Sequence, residues 1–250
     1  MGNNIMKTKR SRYFIQMCSL LSGIMMLLAA GQAHALIIDP FDDSMSFFQK
    51  PQGSSTQSAS DASILGGERN VQATVTSNTG TERLNIDVVG SQFSHSQGSN
   101  AFGTSLLQWD GIDGSITNNK GLTADFTDGG VSDKLLLVLV SADHAANLSY
   151  TLYDSLNNSA SVGLPIVPTN TPVNYYTPLA NFTGIDLSQV TAMELFIDGS
   201  NIPALDVTID LIGTTAAPEP GSMLLLGTGL LGVLGYGWRR KKIMTQMTHD

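Results

Sequence analysis

The residues of this 250-residue chain that best suit metal binding are aspartates gathered at two distant points. Asp39, Asp42 and Asp43 follow the first apolar stretch of the chain, and Asp206 and Asp210 lie on the last predicted strand. The first and last strands of many β-sandwiches pair, which would bring these carboxylates together. Calcium takes several oxygen ligands, so the pattern indicates a structural calcium site. The alternative is that these are ordinary solvated acids beside a strand.

A second group surrounds Trp109, in the sequence Trp109-Asp110-Gly111-Ile112-Asp113-Gly114. Asp110 and Asp113 are candidate cation or sugar ligands, or a carboxylate pair for glycoside hydrolysis. Each also precedes a glycine, and Asp-Gly pairs are typical of turns. An exposed Trp109 would stack on a sugar ring, whereas a buried one would fill the core. Exposed tyrosines on the same sheet face would favour sugar binding, the candidates being Tyr150, Tyr153, Tyr175 and Tyr176.

The sequence contains no recognisable catalytic motif. His95, His144 and His249 have no partner at the spacing of H-E-x-x-H, and there is no G-x-S-x-G. The only cysteine, Cys18, precedes most of an apolar N-terminal stretch, so the rest of the chain has no thiolate nucleophile and no disulfide. We therefore expect no catalytic residues, no cofactor beyond a possible calcium ion, and no enzymatic activity.

The charge of the central region is strongly negative. Between Asp39 and Asp210 there are 19 acidic and 5 basic residues, which gives a formal charge of −14. The whole-chain value of −8 hides this, because eight of the thirteen basic residues lie near the two ends. An acidic domain is a poor partner for nucleic acid, which requires a basic surface, so we expect no nucleic-acid binding.

Alternating apolar and polar residues, with frequent Asn, Asp and Gly at the breaks, predict an all-β domain over residues 36–215. About nine or ten strands at this spacing indicate a β-sandwich of jelly-roll type. Residues 135–140 are continuously apolar and predict a central strand buried on both faces. Residues 53–63 are rich in Ser, Gln and Ala and predict a flexible loop. The clearest alternating strands are residues 71–76, 84–88, 149–153 and 205–211.

The N-terminus has the pattern of a secretory signal peptide, residues 1–35. A basic stretch precedes an apolar one, and Ala33-His34-Ala35 supplies the small-x-small cleavage site at Ala33 and Ala35. Cleavage there would leave Leu36 as the mature N-terminus. An uncleaved membrane anchor is the alternative.

The C-terminus combines three elements in residues 216–242. Pro218, Glu219 and Pro220 stiffen the backbone and remove two N–H donors. Residues 222–238 hold no charge and, as a helix, would be about 25 Å long, which is short but sufficient to span a bilayer. The basic flank then predicts a cytoplasmic C-terminus, with residues 243–250 as a cytoplasmic tail. This flank consists of Arg239, Arg240, Lys241 and Lys242.

The order and close spacing of these elements resemble the PEP-CTERM sorting signal. The resemblance implies an exported bacterial protein whose tail is recognised by an exosortase, a membrane-embedded enzyme that would cleave or transfer the protein near the motif. Carriers of such tails are exported by bacteria that make extracellular polysaccharide. We therefore expect anchoring in the inner membrane before processing, followed by release to the cell surface or matrix.

One stretch of the domain is similar to the close of galactose-binding-like and carbohydrate-binding jelly rolls, comprising residues 182–190, 193–197 and 205–212. Three functions remain open. The first is a non-enzymatic surface or matrix protein associated with exopolysaccharide. The second is a carbohydrate-binding module, with or without the calcium site as a stabilising element, and the third is an extracellular hydrolase.

Overall fold

The structure is a computed structural model that describes residues 35–49 and 51–216. The predicted signal peptide apart from Ala35, the motif at 218–220, the apolar segment 222–238 and the basic flank all lie outside the described residues. Among the described residues, no helix has the length and apolarity needed to cross a bilayer.

The described part of the chain forms thirteen strands and two short 3₁₀ helices, at Leu65–Gly67 and Leu179–Asn181. The first six strands are β1 (Ile37–Asp39), β2 (Met45–Gln49), β3 (Gly53–Ser60), β4 (Glu68–Asn78), β5 (Leu84–Val88) and β6 (Phe93–Gln97). The other seven are β7 (Ala101–Trp109), β8 (Ser132–Ala142), β9 (Ala146–Asp154), β10 (Ser159–Ile166), β11 (Val173–Pro178), β12 (Val190–Asp198) and β13 (Asp206–Ala216).

These strands form two antiparallel sheets packed face to face, so the predicted β-sandwich is confirmed. The seven-stranded sheet has the order β11-β8-β13-β6-β5-β2, with β1 also paired to β13. The six-stranded sheet has the order β10-β9-β12-β7-β4-β3. The chain crosses repeatedly between the sheets, and their inner faces enclose one hydrophobic core.

The structure corrects three expectations about strands. There are thirteen described strands rather than nine or ten. Residues 53–60 form the edge strand β3, paired residue for residue with β4, rather than a flexible loop. In β8, Leu135, Leu137 and Leu139 are buried, but Leu136 and Val138 face outward and are half-buried. This strand is therefore buried on one face only.

Candidate functional site

The outer face of the six-stranded sheet is lined by polar side chains, because the polar members of each alternating strand point away from the core. Six of them stand opposite one another, one on each strand, in an unbroken row across the whole sheet. Six strands about 4.8 Å apart make this row about 24 Å long. We call this surface the polar face, and its central row is Ser58, Asn70, Gln108, Glu194, Thr151 and Ser161.

Hydrogen bonds link neighbouring members of the central row. Gln108 Nε2 donates to Glu194 Oε1 at 3.2 Å, and the Tyr153 hydroxyl donates to Glu194 Oε2 at 3.0 Å. At the two edges, Ser58 donates to Asn70, and the hydroxyls of Thr151 and Ser161 are 2.8 Å apart. The network holds these side chains in fixed orientations, which is the preorganisation that specific polar recognition requires.

Apolar side chains occupy the middle of the next row along the polar face. Leu106 and Phe196 are direct cross-strand partners and are both half-buried. Gln72 flanks Leu106 on β4, and Ser149 flanks Phe196 on β9. The face therefore combines a small apolar centre with polar groups on both sides, as ligand sites in proteins commonly do.

A loop of residues 111–121 covers one end of the polar face. The Gly114 N–H donates to Glu68 Oε1 at 2.7 Å, and Gln108 Nε2 donates to Asn119 Oδ1 at 2.6 Å. The neck of the loop requires glycine, because a Cβ on Gly121 would lie 2.1 Å from the carbonyl oxygen of Asp110. As a result Asn70 and Gln108 are buried, while the neighbouring row with Leu106 stays accessible.

Asp110 is completely buried beneath this loop. Its Oδ1 accepts a long bond of 3.4 Å from Asn70, and its Oδ2 has no partner among the described residues. Burial, together with the nearby charges of Asp113 and Glu68, raises the pKa of Asp110 to about 7. Burial also raises the pKa of Glu194. Each of these two carboxyl groups therefore keeps its proton to a higher pH than a free aspartate or glutamate does.

Asp110 and Asp113 do not form an open pair of catalytic carboxylates. Asp110 is buried, whereas Asp113 is exposed and accepts hydrogen bonds from the Ser115 N–H and the Asn118 amide within its own loop. These contacts within the loop are those of a turn, so they agree with the interpretation of Asp113 as a turn residue. A pair of acids facing one another across a cleft, which glycoside hydrolysis needs, is not found at this point.

A buried ion cluster between the sheets explains two of the candidate aspartates and the tryptophan. Arg69 Nη1 donates to Asp39 Oδ2 at 2.8 Å, and Arg69 Nη2 donates to Asp43 Oδ2 at 2.8 Å. Trp109 Nε1 donates to the same Asp39 oxygen at 2.8 Å. Burial raises the pKa of Asp39, while Arg69 and Trp109 oppose that rise. The cluster fastens β1 and the segment after it to the six-stranded sheet.

Of the two possibilities for Trp109, the structure shows the buried one rather than an exposed ring available to a sugar. Its relative exposure is 0%, because its ring lies in the core and its N–H is used by Asp39. In the sequence, the one indication of this cluster is Arg69, a basic residue just before the alternating strand pattern of residues 71–76. The fold was needed to bring together residues separated by 30 and 70 positions.

The five aspartates expected to bind calcium are not gathered into one site. β1 does pair with β13, but Asp39 and Asp43 are both paired with Arg69. Asp42 instead accepts a hydrogen bond from Ser91. Asp206 lies at the far end of β13, beside Asp143, and Asp210 is half-buried at an irregularity of the same strand. Within residues 35–49 and 51–216, no group of three His, Cys, Asp or Glu residues could hold a metal ion.

The tyrosines are spread over different surfaces rather than forming a single aromatic platform. Tyr150 is buried in the core, and Tyr153 lies half-buried on the polar face. Tyr176 is 51% exposed on the outer face of the opposite sheet, and the Tyr175 hydroxyl accepts a hydrogen bond from Val167. Phe196, which sequence reasoning missed, is the aromatic residue at the centre of the polar face. In the sequence, Phe196 lies at the same strand period as Glu194 and Asp198, and these polar residues could have indicated that Phe196 faces outward.

The chain beyond β13 matches the PEP-CTERM protein-sorting motif over residues 216–241. The chain carries a PEP-CTERM sorting tail. The prediction from Pro218, Glu219, Pro220 and the basic flank is therefore confirmed, and the tail marks an exported protein that is processed by an exosortase. No curated protein sequence matches the chain.

Several solved structures are similar to this chain at low identity. They include PfGH50B (10% identity, 58% of this chain, 23% of that chain, TM-score 0.38). An exo-β-agarase is 15% identical (74% of this chain, 26% of that chain, TM-score 0.42). The family 11 carbohydrate-binding module of the Clostridium thermocellum cellulase Lic26A-Cel5E is 11% identical (76% and 98%, TM-score 0.38). The chain thus spans about a quarter of the length of the two larger proteins. The assignment of a β-sandwich depends on the strand pairing of this chain and not on these similarities.

Proposed function

We propose that this is a non-enzymatic cell-surface or extracellular-matrix protein that binds an extended exopolysaccharide along its polar face. The observation that carries the proposal is the accessible row that contains Leu106 and Phe196 and that crosses all six strands beside the central row. A sugar polymer offers hydroxyl groups and apolar ring faces, and this surface presents partners for both.

Unused hydrogen-bonding groups on the polar face support binding to hydroxyl-rich ligands. The side chains of Thr104, Asn147 and Ser149 make no hydrogen bonds within the described residues, although all three point outward beside the apolar centre. Each can donate to or accept from a sugar hydroxyl. The accessible row with Leu106 and Phe196 also spans six strands, and its length of about 24 Å matches an extended polymer better than a single small molecule.

In this proposal, the sorting tail determines where in the cell the protein is delivered. Residues 222–238 would anchor the protein in the inner membrane, with the basic flank 239–242 in the cytoplasm, until the exosortase acts near Pro218. The ectodomain would then reach the surface or matrix, where polysaccharide is present.

A glycan array probed with the purified full chain in detergent tests the proposal. The matched variants are the double substitution Leu106→Ala and Phe196→Ala on the polar face, and Tyr176→Ser on the opposite sheet. We expect the double variant to lose binding to extended glycans and the Tyr176 variant to keep it. Equal binding by all three proteins, or no binding by the wild type, would reject the polar face as the site.

Narrow recognition of one sugar sequence on that array would favour the second candidate, a carbohydrate-binding module, and the Tyr153–Glu194 pair on the polar face supports it. Release of reducing ends from any bound glycan would instead favour the third candidate, a hydrolase.

A further inference from the structure

A cavity lies on the opposite sheet, away from the polar face. It has a volume of about 440 Å³ and opens on the outer surface where β2, β5 and β6 run side by side. Phe48, Asn85 and Ser96 stand opposite one another across these three strands and form its floor. Phe48 is 53% exposed, and the side chains of Asn85 and Ser96 make no hydrogen bonds within the described residues. This floor offers one aromatic ring and two unused polar groups.

Arg83 forms one wall of the cavity, and its guanidinium lies 4.8 Å from the centre of the Phe48 ring. Its guanidinium has no ion pair and no hydrogen bond in the part of the chain that the structure describes. The other described arginine, Arg69, is paired with two aspartates, and Lys134 is paired with Asp133. Lys120 is likewise exposed and without an ion pair among the described residues, so Arg83 is distinguished by its position over the Phe48 ring in the cavity wall.

The neighbouring acid, Glu82, also lines the cavity but makes no ion pair with Arg83 within the described residues. Its carboxylate accepts hydrogen bonds from the Asn100 N–H and from the side chains of Ser99 and Asn100, and these contacts lower the pKa of Glu82. A second nearby acid, Asp87, accepts a hydrogen bond from Ser46. The guanidinium fork is therefore available, and its stacking on Phe48 limits its rotation.

We propose that this cavity binds a sugar unit that carries a carboxylate, of the uronic acid class. Arg83 pairs with the carboxylate through two parallel hydrogen bonds, which its planar fork is shaped to make. The exposed part of the Phe48 ring packs against the apolar face of the sugar, and Asn85 and Ser96 bind its hydroxyls. This inference rests on the proposed polysaccharide association, because it names a sugar class, but the site is separate and lies on the other sheet.

Two sites on opposite sheets would allow one molecule to bridge two glycan chains. The polar face suits an extended stretch of polymer, whereas the Phe48–Arg83 cavity suits one charged unit. Simultaneous engagement raises the overall avidity without any new contact.

Calorimetry on the full chain in detergent at physiological ionic strength tests the cavity, with a glucuronate-containing oligosaccharide and its neutral glucose counterpart as probes. Under these conditions charges beyond about 8 Å are largely screened, so repulsion from distant acids is small, whereas Glu82, which lines the cavity, weakens the attraction. We expect the glucuronate probe to bind about 10-fold to 100-fold more tightly than the neutral one, as a charge-assisted pair predicts.

Arg83→Met should abolish this preference, and Arg83→Lys should lose most of it, because lysine keeps the charge but not the fork. Lys134→Met removes a partly exposed cation on β8, away from both surfaces, and should change nothing. Equal affinity for the two probes, or an unchanged preference in Arg83→Met, would overturn the proposal. The Leu106 and Phe196 double variant separates the two sites. If this variant loses binding to neutral polymers but keeps the preference for glucuronate, the polar face binds the neutral polymer and the cavity binds the charged sugar. If the double variant changes nothing and Arg83→Met removes all binding, the polar face is rejected and the cavity is retained.

Discussion

Leu36 and Thr214, 178 residues apart, are joined by two hydrogen bonds. The Leu36 N–H donates to Thr214 Oγ1 at 3.0 Å, and the Thr214 N–H donates to the Leu36 carbonyl at 2.7 Å. Leu36 is the first residue after the predicted signal peptidase site, and Pro218 is the fourth residue after Thr214. The expected mature N-terminus is thus attached to the strand that leads into the sorting tail.

Thr214→Val should weaken this attachment. The threonine hydroxyl is almost fully buried and also lies 3.1 Å from Ser132 Oγ, so its removal leaves polar groups without a partner. We expect a loss of about 1–2 kcal/mol in the free energy of unfolding, measured by urea denaturation. Thr215→Val, at the neighbouring and more exposed position, is the control. A loss no larger than that of the control would show that Leu36 does not dock on β13.

Arg69→Met should be far more damaging than substitution of an exposed cation. It leaves Asp39 buried without its counter-charge, which costs about 3–5 kcal/mol in comparable buried pairs. Lys120→Met is the control and should change stability by less than about 0.5 kcal/mol. Thermal unfolding monitored by near-UV circular dichroism, which reports on Trp109, measures both. Similar melting temperatures for the two variants would contradict a stabilising role for the cluster.

Sequence reasoning succeeded where a strand buries one face. Residues 84–88 were predicted as a strand and form β5, with Leu84, Ile86 and Val88 buried at the predicted period. It failed at β3, because this edge strand is held by main-chain pairing with β4 and needs no apolar residues. It also failed at β8, since a continuous apolar run does not reveal that one face is covered only in part.

The candidate sites were less accessible to sequence reasoning, because they depend on contacts between distant strands. Gln108 and Glu194 are 86 residues apart and become neighbours only through the pairing of β7 and β12. Phe48 and Arg83 meet only because β2 and β5 are adjacent. Composition correctly indicated an acidic, polar surface but not which acids would be buried, as Asp39 and Asp110 are.

His95 should make the protein sensitive to mild acid. It is buried between the sheets, its Nδ1 lies 2.7 Å from Ser105 Oγ, and burial lowers its pKa to about 4. The unfolded chain takes up a proton near pH 6.5, whereas the folded one does not until about pH 4. Stability from His95 is therefore complete above pH 6.5 and falls by roughly 3 kcal/mol as the pH drops towards 4.

Urea denaturation between pH 7 and pH 4.5 measures this effect. His95→Gln should reduce the pH dependence, even if it lowers stability at pH 7, whereas His144→Gln at an exposed position should leave it unchanged. An equal acid dependence in wild type and His95→Gln would reject the assignment.

Asp110 should act in the opposite direction. Its pKa is raised to about 7, so the folded state favours the protonated acid. Its contribution is complete below about pH 4 and is lost as the pH rises through 7. Asp110→Asn keeps the shape and removes the charge, so it should stabilise the protein at pH 8, by on the order of 2 kcal/mol after allowance for solvent screening through the loop that covers Asp110. Asp186→Asn, at an exposed position outside this loop, is the control. A destabilised Asp110→Asn protein at pH 8 would mean that the ionised carboxylate is needed.

Replacement of Pro218, Glu219 and Pro220 by alanine should separate sorting from folding. The motif follows β13 in the sequence and is not part of any described strand, so the melting temperature should stay within about 1 °C of the wild type, as for substitutions outside a core. Processing should nevertheless stop, because the stiff, donor-poor backbone of the two prolines is lost. Expression in a host with an exosortase, followed by immunoblotting of membrane and surface fractions, measures it. Accumulation of the unprocessed form in the membrane is the expected result, and normal conversion of the alanine variant would show that the exosortase reads another part of the tail.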